Sequence, residues 1–216
     1  FNAKKKTHKV VNKHLKDSKI KKVYKDFKNN LDRYIKERKF AVAVSGGPDS
    51  LALTFLSKCY ADEKNIDVFY YTIDHKLRKN SFEEAKKLKS ILKKNNIKCK
   101  IIFWKGKKPN SNIQSIARNN RYFLLEKECV KNSINTILVG HHLDDLYENF
   151  FIRLFRGSGL KGLSSFNNVF TKRKNNINIL RPLLNQKKEN LKYISKSVFN
   201  FYVDDISNYN DIFTRV

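Results

Sequence analysis

Residues 40–50, FAVAVSGGPDS, restrict the fold more than any other stretch of this chain. Apolar residues 41–44 predict a short strand buried on both faces, and a helical pattern, LALTFLSKCY, starts at residue 51. Between them lies a polar, glycine-rich turn made of Ser45, Gly46, Gly47, Pro48, Asp49 and Ser50. A strand, a tight turn and a helix N-terminus bring unpaired N–H groups to one point, which favours a bound anion such as phosphate. The alternative is an ordinary turn, with glycine for positive φ and Asp or Ser as the helix N-cap.

Apolar segments and helical patterns alternate along the rest of the chain. Further strands are predicted at residues 68–73, 98–104, 136–140 and 177–180, with helices between them. Strands without a polar face indicate a parallel sheet covered by helices on both faces, a Rossmann-like α/β fold. Ligands of such sheets collect at the carboxyl ends of the strands, so the loops after strands one, two and four should converge there.

Three local features complete this prediction. An amphipathic helix should begin near Ile20, Ser81 should cap the helix after the second strand, and the basic run at residues 171–176 should form a flexible turn. We expect a basic flexible arm over residues 1–19 and one catalytic domain over residues 20–216.

The chain carries 46 Lys and Arg against 20 Asp and Glu, a formal net charge of +26. Such a charge suits a nucleic-acid partner, although the excess of Lys over Arg also fits a compositional drift across a proteome. No apolar run is long enough to span a bilayer and no signal peptide is visible, so we expect a cytoplasmic protein. Cys59, Cys99 and Cys129 form no CxxC pair, which argues against a structural zinc or a disulfide framework. Because residue 1 is not Met, we expect the numbering to start inside a longer chain.

The glycine-rich turn lacks the Lys of a GxxxxGK[ST] loop. It resembles the SGGxDS loop of the PP-loop ATP pyrophosphatases, which have an adenine nucleotide alpha hydrolase-like fold. Those enzymes cleave ATP between the α and β phosphates and attach AMP to a substrate oxygen. The resemblance implies that residues 45–50 hold ATP, with Asp49 near the phosphates through Mg²⁺.

Six further segments recur in the order of one family, the tRNA(Ile)-lysidine synthetases, which the chain resembles over about residues 36–215. They are DHKLR at 74–78 followed by Ser81, NIQSIARNNRY at 112–122, GHHLDD at 140–145, RLFRGSGLKGL at 153–163, ILRPLL at 179–184 and DDISNYNDIFTR at 204–215.

The resemblance implies a reaction, its cofactors and its partners. ATP adenylates the C2 oxygen of the wobble cytidine in tRNA(Ile) with a CAU anticodon, and free L-lysine then displaces AMP. ATP and Mg²⁺ are the implied cofactors, and the resemblance leaves the oligomeric state unknown.

Roles for individual residues follow from the same resemblance. Asp145 and Glu148 should bind lysine or metal, His142 should relay protons, and Asp49 and Asp145 should hold the metal. The resemblance assigns ATP binding to Asp74, His75, Arg118 and Arg121. Each role has an alternative, because Asp144 or Asp145 could simply cap a helix and the two arginines could form a solvated surface pair.

The sequence departs from the family in two places. After GHHLDD the family has Gln, a variable residue, Glu and Thr, whereas this chain has Leu146, Tyr147, Glu148 and Asn149. The family also continues beyond the equivalent of residue 216, so we expect its C-terminal tRNA-binding domains to be absent or truncated. Two rival functions remain: another PP-loop tRNA-modifying enzyme, such as a thiolase, or a catalytically silent RNA-binding module.

Overall fold

The computed structural model describes residues 13–77, 80–106, 111–157, 159 and 169–203. Its helices are α1 (Ser18–Tyr34), α2 (Pro48–Lys64), α3 (Ser81–Lys94), α4 (Ile113–Lys131), α5 (Leu143–Phe155) and α6 (Lys188–Phe199). Its strands are β1 (Lys39–Ala43), β2 (Asp67–Asp74), β3 (Cys99–Phe103), β4 (Thr136–Leu138), β5 (Phe170–Lys172) and β6 (Asn178–Leu180). The predicted α/β alternation is confirmed.

The described strands form one sheet in the order β3-β2-β1-β4-β6-β5. All neighbours are parallel except β5, which runs antiparallel to β6. The chain moves outward from β1 to β2 and β3, and then returns to the other side of β1 as β4. The point between β1 and β4 is therefore the topological switch point, where the loops after these two strands lie side by side.

Helices cover both faces of the sheet, as predicted. On one face α1, α2, α3 and α6 pack over the strands through residues such as Phe27, Leu51, Leu88 and Leu191. On the other face α4 contributes Tyr122, Leu125 and Cys129, which pack against β4 and β6. Helix α2 lies between the sheet and α6, so it is buried along most of its length rather than on one stripe.

Helix α1 forms where its apolar spacing predicted. Its apolar face is buried, and the Asp17 carboxylate caps its first turn by accepting hydrogen bonds from the N–H groups of Lys19 (2.8 Å) and Ile20 (3.1 Å). Leu15 also packs against the core, so contacts with the core begin before residue 20. Residues 1–12 of the predicted basic arm lie outside the described residues, and the arm stays a prediction.

Two local predictions were wrong. The run at residues 171–176 is not simply a turn, because Thr171 and Lys172 belong to β5, where Thr171 pairs with Ile179. Ser81 does not cap α3 but is its first residue; Asn80 holds the cap position and makes no side-chain capping bond.

Helix α5 forms where the sequence predicted a helix, but its apolar side chains are not buried as expected. None of its residues is buried, and its large apolar side chains Tyr147, Phe150, Phe151, Leu154 and Phe155 are exposed. Among the described residues, no helix combines the length and the apolar character needed to cross a membrane.

Candidate active site

The loop after β1 folds around the hydroxyl of Ser50. The Ser50 Oγ accepts hydrogen bonds from the N–H groups of Ser45 (3.2 Å) and Gly46 (3.1 Å), and it donates to the carbonyl of Gly47 at 3.0 Å. Gly46 has φ +90°, a left-handed backbone that favours glycine, and Pro48 occupies the first turn of α2. The loop therefore leads directly into the positive end of a buried helix, the geometry predicted for an anion site.

Neighbouring segments hold this loop in place. The buried Ser195 hydroxyl of α6 donates to the carbonyl of Pro48, and the N–H of Val203 donates to the carbonyl of Gly46 at 3.0 Å. A Cβ on Gly140 would lie 3.1 Å from backbone atoms of Asp49 and Ser50. Only a residue without a side chain lets the loop after β4 approach α2 so closely, so Gly140 joins the two loops of the switch point.

The ring of His142 lies between two carboxylates. Its Nε2 is 3.4 Å from Asp49 Oδ2 and 3.5 Å from Asp145 Oδ2. Its Nδ1 accepts a hydrogen bond from the N–H of Asp144 at 3.2 Å, so the proton of the neutral ring belongs on Nε2, facing both carboxylates. The predicted residues Asp49, His142 and Asp145 therefore meet, although they come from α2 and from the start of α5.

Opposing effects set the protonation of this triad. Burial lowers the pKa of His142, but the hydrogen bond and charge of Asp49, with the charges of Asp145 and Asp144, raise it to a net value above the ordinary one. Burial raises the pKa of Asp145 despite its contacts with His142, and the charges of Asp49 and Glu148 add to the increase. The triad thus places an imidazole with a raised pKa beside a carboxyl group whose pKa is also raised.

Capping and site geometry use the same atoms at the start of α5. His142 is the N-cap residue, and the Asp145 carboxylate accepts a hydrogen bond from its N–H at 3.0 Å, which forms a capping box. Asp145 therefore does cap α5, as the alternative prediction stated. The same carboxylate oxygen also faces the imidazole of His142. Glu148 lies one turn further along α5 and is exposed.

The predicted pair after β2 offers unused polar atoms. Asp74 is 2% exposed, and its Oδ1 accepts from the N–H of Lys76 at 2.9 Å while its Oδ2 has no hydrogen-bond partner among the described residues. Both ring nitrogens of His75 are also buried without such a partner. Burial, together with the charge of Arg121, lowers the pKa of His75 to about 4, so the ring is neutral and presents one donor and one acceptor.

The predicted arginines of α4 extend over this edge of the sheet. Burial and the charge of Arg121 lower the pKa of both His75 and His141, which follow β2 and β4. Arg118 lies over the ring of Tyr122, with its Cζ 5.8 Å from the ring centroid. Both arginine side chains are exposed.

The carboxylates fit a magnesium ion that is shared with substrate phosphates. Asp49 Oδ1 is buried and has no hydrogen-bond partner among the described residues, and Asp145 faces the same imidazole nitrogen as Asp49. Within the described ranges, no group of three or more His, Cys, Asp or Glu side chains is arranged to hold a metal. Magnesium commonly takes one or two carboxylates and completes its shell with phosphate oxygens and water, so two carboxylates suffice.

Sequence reasoning missed several residues that build this site. Gly140 and Arg181 lie inside motifs that were recognised, but no role was given to either. Arg181 follows β6 and donates through Nε to His141 Nδ1 at 3.1 Å and through Nη1 to Thr171 Oγ1 at 2.8 Å. Ser195 carried no signal, because a serine within an amphipathic helix is unremarkable until the fold brings it against Pro48.

Comparison with known proteins identifies close relatives of the sequence. A family model described as a PP-loop domain matches residues 13–216. The chain is 42% identical over 177 residues to the tRNA(Ile)-lysidine synthase of Orientia tsutsugamushi, covering 82% of this chain and 40% of that protein. It is 38% identical over 199 residues to the tRNA(Ile)-lysidine synthase of Rickettsia typhi, covering 89% and 45%. The chain thus spans less than half the length of these curated relatives.

Solved structures share the architecture at lower identity. The U34-tRNA thiolase NcsA from Methanococcus maripaludis, solved with its [4Fe-4S] cluster, superposes with a TM-score of 0.72 at 19% identity, covering 88% of this chain and 67% of that chain. The NH3-dependent NAD synthetase from Campylobacter jejuni gives a TM-score of 0.50 at 15% identity, covering 91% and 76%. At these identities the likeness concerns the fold alone, and it agrees with a parallel sheet flanked by helices.

Proposed function

The chain belongs to the PP-loop domain family, and from this membership we propose that it ligates lysine to the wobble cytidine of tRNA(Ile) with a CAU anticodon. ATP transfers AMP to the C2 oxygen of the cytosine and pyrophosphate leaves. The amine of free L-lysine then forms the new C–N bond at C2, AMP leaves with the oxygen, and the amine loses a proton. One observation carries the proposal: the family loop places Asp49 against His142 and Asp145 at the switch point, in a chain whose relatives bear this activity in their names.

The loop supplies the grip on ATP. Helix α2 points its N-terminus at the loop, and the backbone N–H groups of Gly47, Asp49 and Ser50 offer donors for the β and γ phosphates, while the Ser50 hydroxyl holds the shape of the loop. Arg121 offsets the charge that develops as pyrophosphate leaves, whereas Arg118 lies over the ring of Tyr122. Asp74 and His75 bind the nucleoside part of ATP through Asp74 Oδ2 and the two ring nitrogens of His75, which are buried and have no hydrogen-bond partner among the described residues.

Asp49 and Asp145 would hold Mg²⁺. When bound, the ion neutralises phosphate charge and orients the triphosphate. His142 keeps the two carboxylates apart and fixes their direction, since its Nε2 faces both.

Lysine binding belongs to the acidic start of α5. Asp145 and Glu148 present carboxylates to an ammonium group, and a carboxylate beside the amine can accept the proton that the amine must lose. His142 passes that proton on. Leu146 and Asn149, which replace Gln and Thr of the family pattern, leave both of these carboxylates in place.

The thiolase alternative finds little support in the cysteines of this chain. Cys59 and Cys99 are buried in the core on one face of the sheet, and Cys129 is buried on the opposite face. Burial raises the pKa of Cys99 and of Cys129 to about 12, so neither is a ready thiolate. Sulfur transfer or cluster binding needs thiolates that can meet, and these three cannot.

Labelled lysine tests the proposal. Purified protein is incubated with ATP, Mg²⁺, radiolabelled L-lysine and an unmodified tRNA with a CAU anticodon, and acid-precipitable label and AMP are measured. We expect label and AMP to appear together and only when the tRNA is present. We also propose that the protein acts in the cytoplasm. Binding of the tRNA without any label or AMP would instead support the catalytically silent RNA-binding module.

A further inference from the structure

A group of arginines gathers around one tyrosine on the α4 side of the sheet. Arg173 lies with its Cζ 4.7 Å from the ring centroid of Tyr122, and Arg118 lies with its Cζ 5.8 Å from the same centroid. Arg181 donates through Nη1 to Thr171 Oγ1 of the same hairpin at 2.8 Å, and Tyr122 partly offsets the lowered pKa of Arg181. Three guanidinium groups from α4, from the β5–β6 hairpin and from the end of β6 therefore converge on Tyr122.

This convergence places like charges close together. The buried carboxylate of Glu126 bonds to Arg173. Burial lowers the pKa of Arg181, and the neighbouring charges of Arg118 and Arg173 lower it further against the opposing effect of Tyr122. A phosphate between the guanidinium groups would form charge-assisted hydrogen bonds with them, which are stronger than the contact of a cation with an exposed tyrosine ring.

The Lys-rich composition of the chain does not explain the group of arginines around Tyr122. Ten of the 46 basic residues are Arg, so a drift toward Lys explains the overall charge but not three arginines around one ring. Arginine, unlike lysine, binds phosphate oxygens through two parallel hydrogen bonds and stacks on aromatic rings. The residue type therefore points to phosphate.

The position of the arginines favours a phosphate other than those of ATP in the loop. Arg181 follows β6, which is two strands from β1, and Arg173 follows β5, which is three strands from β1. Neighbouring strands lie about 4.8 Å apart, so these strands are roughly 10 and 14 Å from the strand that carries the loop. Arg181 also contacts His141 after β4, which connects the arginines to the candidate active site.

We propose that Arg118, Arg173 and Arg181 around Tyr122 bind a backbone phosphate of the RNA substrate, on the flank between α4 and the β5–β6 hairpin. The proposal rests on the proposed function for the identity of the RNA. The contact positions the strand, and it carries no base specificity of its own.

The hairpin supplies a matched control. Side chains alternate along a strand, and Thr171 faces Arg181, so Arg173 shares the face of Thr171 while Lys172 points to the other face. Arg173→Gln and Lys172→Gln each remove one positive charge from the same hairpin. Arg118→Gln is a second variant, since Arg118 is exposed and its loss does not strand the Glu126 carboxylate.

The test measures binding of a fluorescent RNA stem-loop with a CAU anticodon by anisotropy at several salt concentrations, and binding of ATP by calorimetry. We expect Arg173→Gln and Arg118→Gln each to weaken RNA binding by roughly 3–10-fold and to reduce the slope of log K against log salt by about 1, with Lys172→Gln much closer to the unsubstituted protein. ATP affinity should not change in Arg173→Gln.

Two outcomes would overturn the proposal. Equal effects of Arg173→Gln and Lys172→Gln would mean that the RNA senses only general surface charge. A loss of ATP affinity with unchanged RNA binding in Arg173→Gln would assign the arginines to the nucleotide instead. Because no lysine is present in these assays, a failure of the ligation activity would leave this result unaffected.

Discussion

His142 is the residue at which the two halves of the candidate site meet. Its backbone starts α5 and its ring faces Asp49 at the start of α2. Replacing a ring that is 3% exposed and in contact with both carboxylates would disturb packing and charge together. Asp49 is the better residue to change, because an amide of the same shape removes only the charge.

We expect Asp49→Asn to reduce tRNA-dependent AMP formation by on the order of 10²–10³-fold, because it removes a phosphate-facing or metal-binding charge. Circular dichroism and the melting temperature should stay close to those of the unsubstituted protein. Asp62→Asn is the matched control, since Asp62 lies on the same helix and pairs with Lys58. Undiminished AMP formation in Asp49→Asn would show that Asp49 has no part in catalysis.

Gly140 tests the close approach of the two loops. A Cβ there would lie 3.1 Å from backbone atoms of Asp49 and Ser50, which would have to shift, so Gly140→Ala should lower the free energy of unfolding by about 1–3 kcal/mol. Urea denaturation measures this change. Gly159→Ala is the control, because a Cβ on Gly159 meets nothing within 4 Å; equal effects of both substitutions would contradict the close approach.

The sequence predicted the individual residues of the site better than their contacts. The glycine turn predicted a tight loop that leads into a helix N-terminus, and the structure has this loop, because local geometry alone determines it. The contact between Asp49 and His142 was not predictable in this way, since the two residues are distant in the chain and meet only because β4 lies beside β1. Ser195 and Arg181 were missed for the same reason, because their contacts are with residues distant in the chain.

At the scale of elements, α1 and α5 show that the same helical spacing of apolar residues can give either a buried or an exposed face. Both helices carry an apolar stripe, but α1 buries its stripe whereas α5 exposes its own. Phe27 is 0% exposed and Phe155 is 84% exposed. A hydrophobic period shows which residues share a face, but it does not show whether that face meets the core.

This contrast gives a matched pair of substitutions. Phe27→Ala should lower the free energy of unfolding by about 3–5 kcal/mol, because it opens a cavity in the core. Phe155→Ala should change it by no more than about 0.5 kcal/mol. Urea denaturation of both variants is the measurement, and a large loss in Phe155→Ala would show that α5 packs against the core after all.

Strand β5 shows why some elements escape prediction. It has three residues, lies at the edge of the sheet, and contains one apolar residue, Phe170, which is itself 36% exposed. The strands buried on both faces were all found, because burial forces a run of apolar residues. An edge strand is under no such constraint, so its pairing with β6 became visible only in the fold.

At the scale of the whole molecule, buried neutral histidines make the stability depend on pH. Burial lowers the pKa of His75 to about 4 and that of His141 to about 3, from an ordinary value of 6.5. Each group therefore contributes stability that is fully present above pH 6.5 and is lost as the pH falls toward the folded value. The lowered pKa of Glu63, where bonds from Lys28 and Tyr24 outweigh burial, adds a loss at still lower pH.

We expect the free energy of unfolding to decrease as the pH is lowered from about 6.5 to about 4. Denaturant titrations across this range measure the decrease. The substitution His75→Gln, which has no charge at any pH, should make the dependence shallower. A stability that is independent of pH over this window would contradict the buried, neutral state of both rings.

We propose that the loop, the carboxylates of α5 and Arg121 of α4 together join lysine to a cytidine. The most direct measurement is the mass of the wobble nucleoside after the reaction. A CAU-anticodon tRNA is incubated with the protein, ATP, Mg²⁺ and lysine, digested to nucleosides and analysed by mass spectrometry. We predict a cytidine that is heavier by lysine minus one water, absent when ATP or lysine is omitted. A wobble nucleoside that remains cytidine, or that gains sulfur instead, would contradict the account.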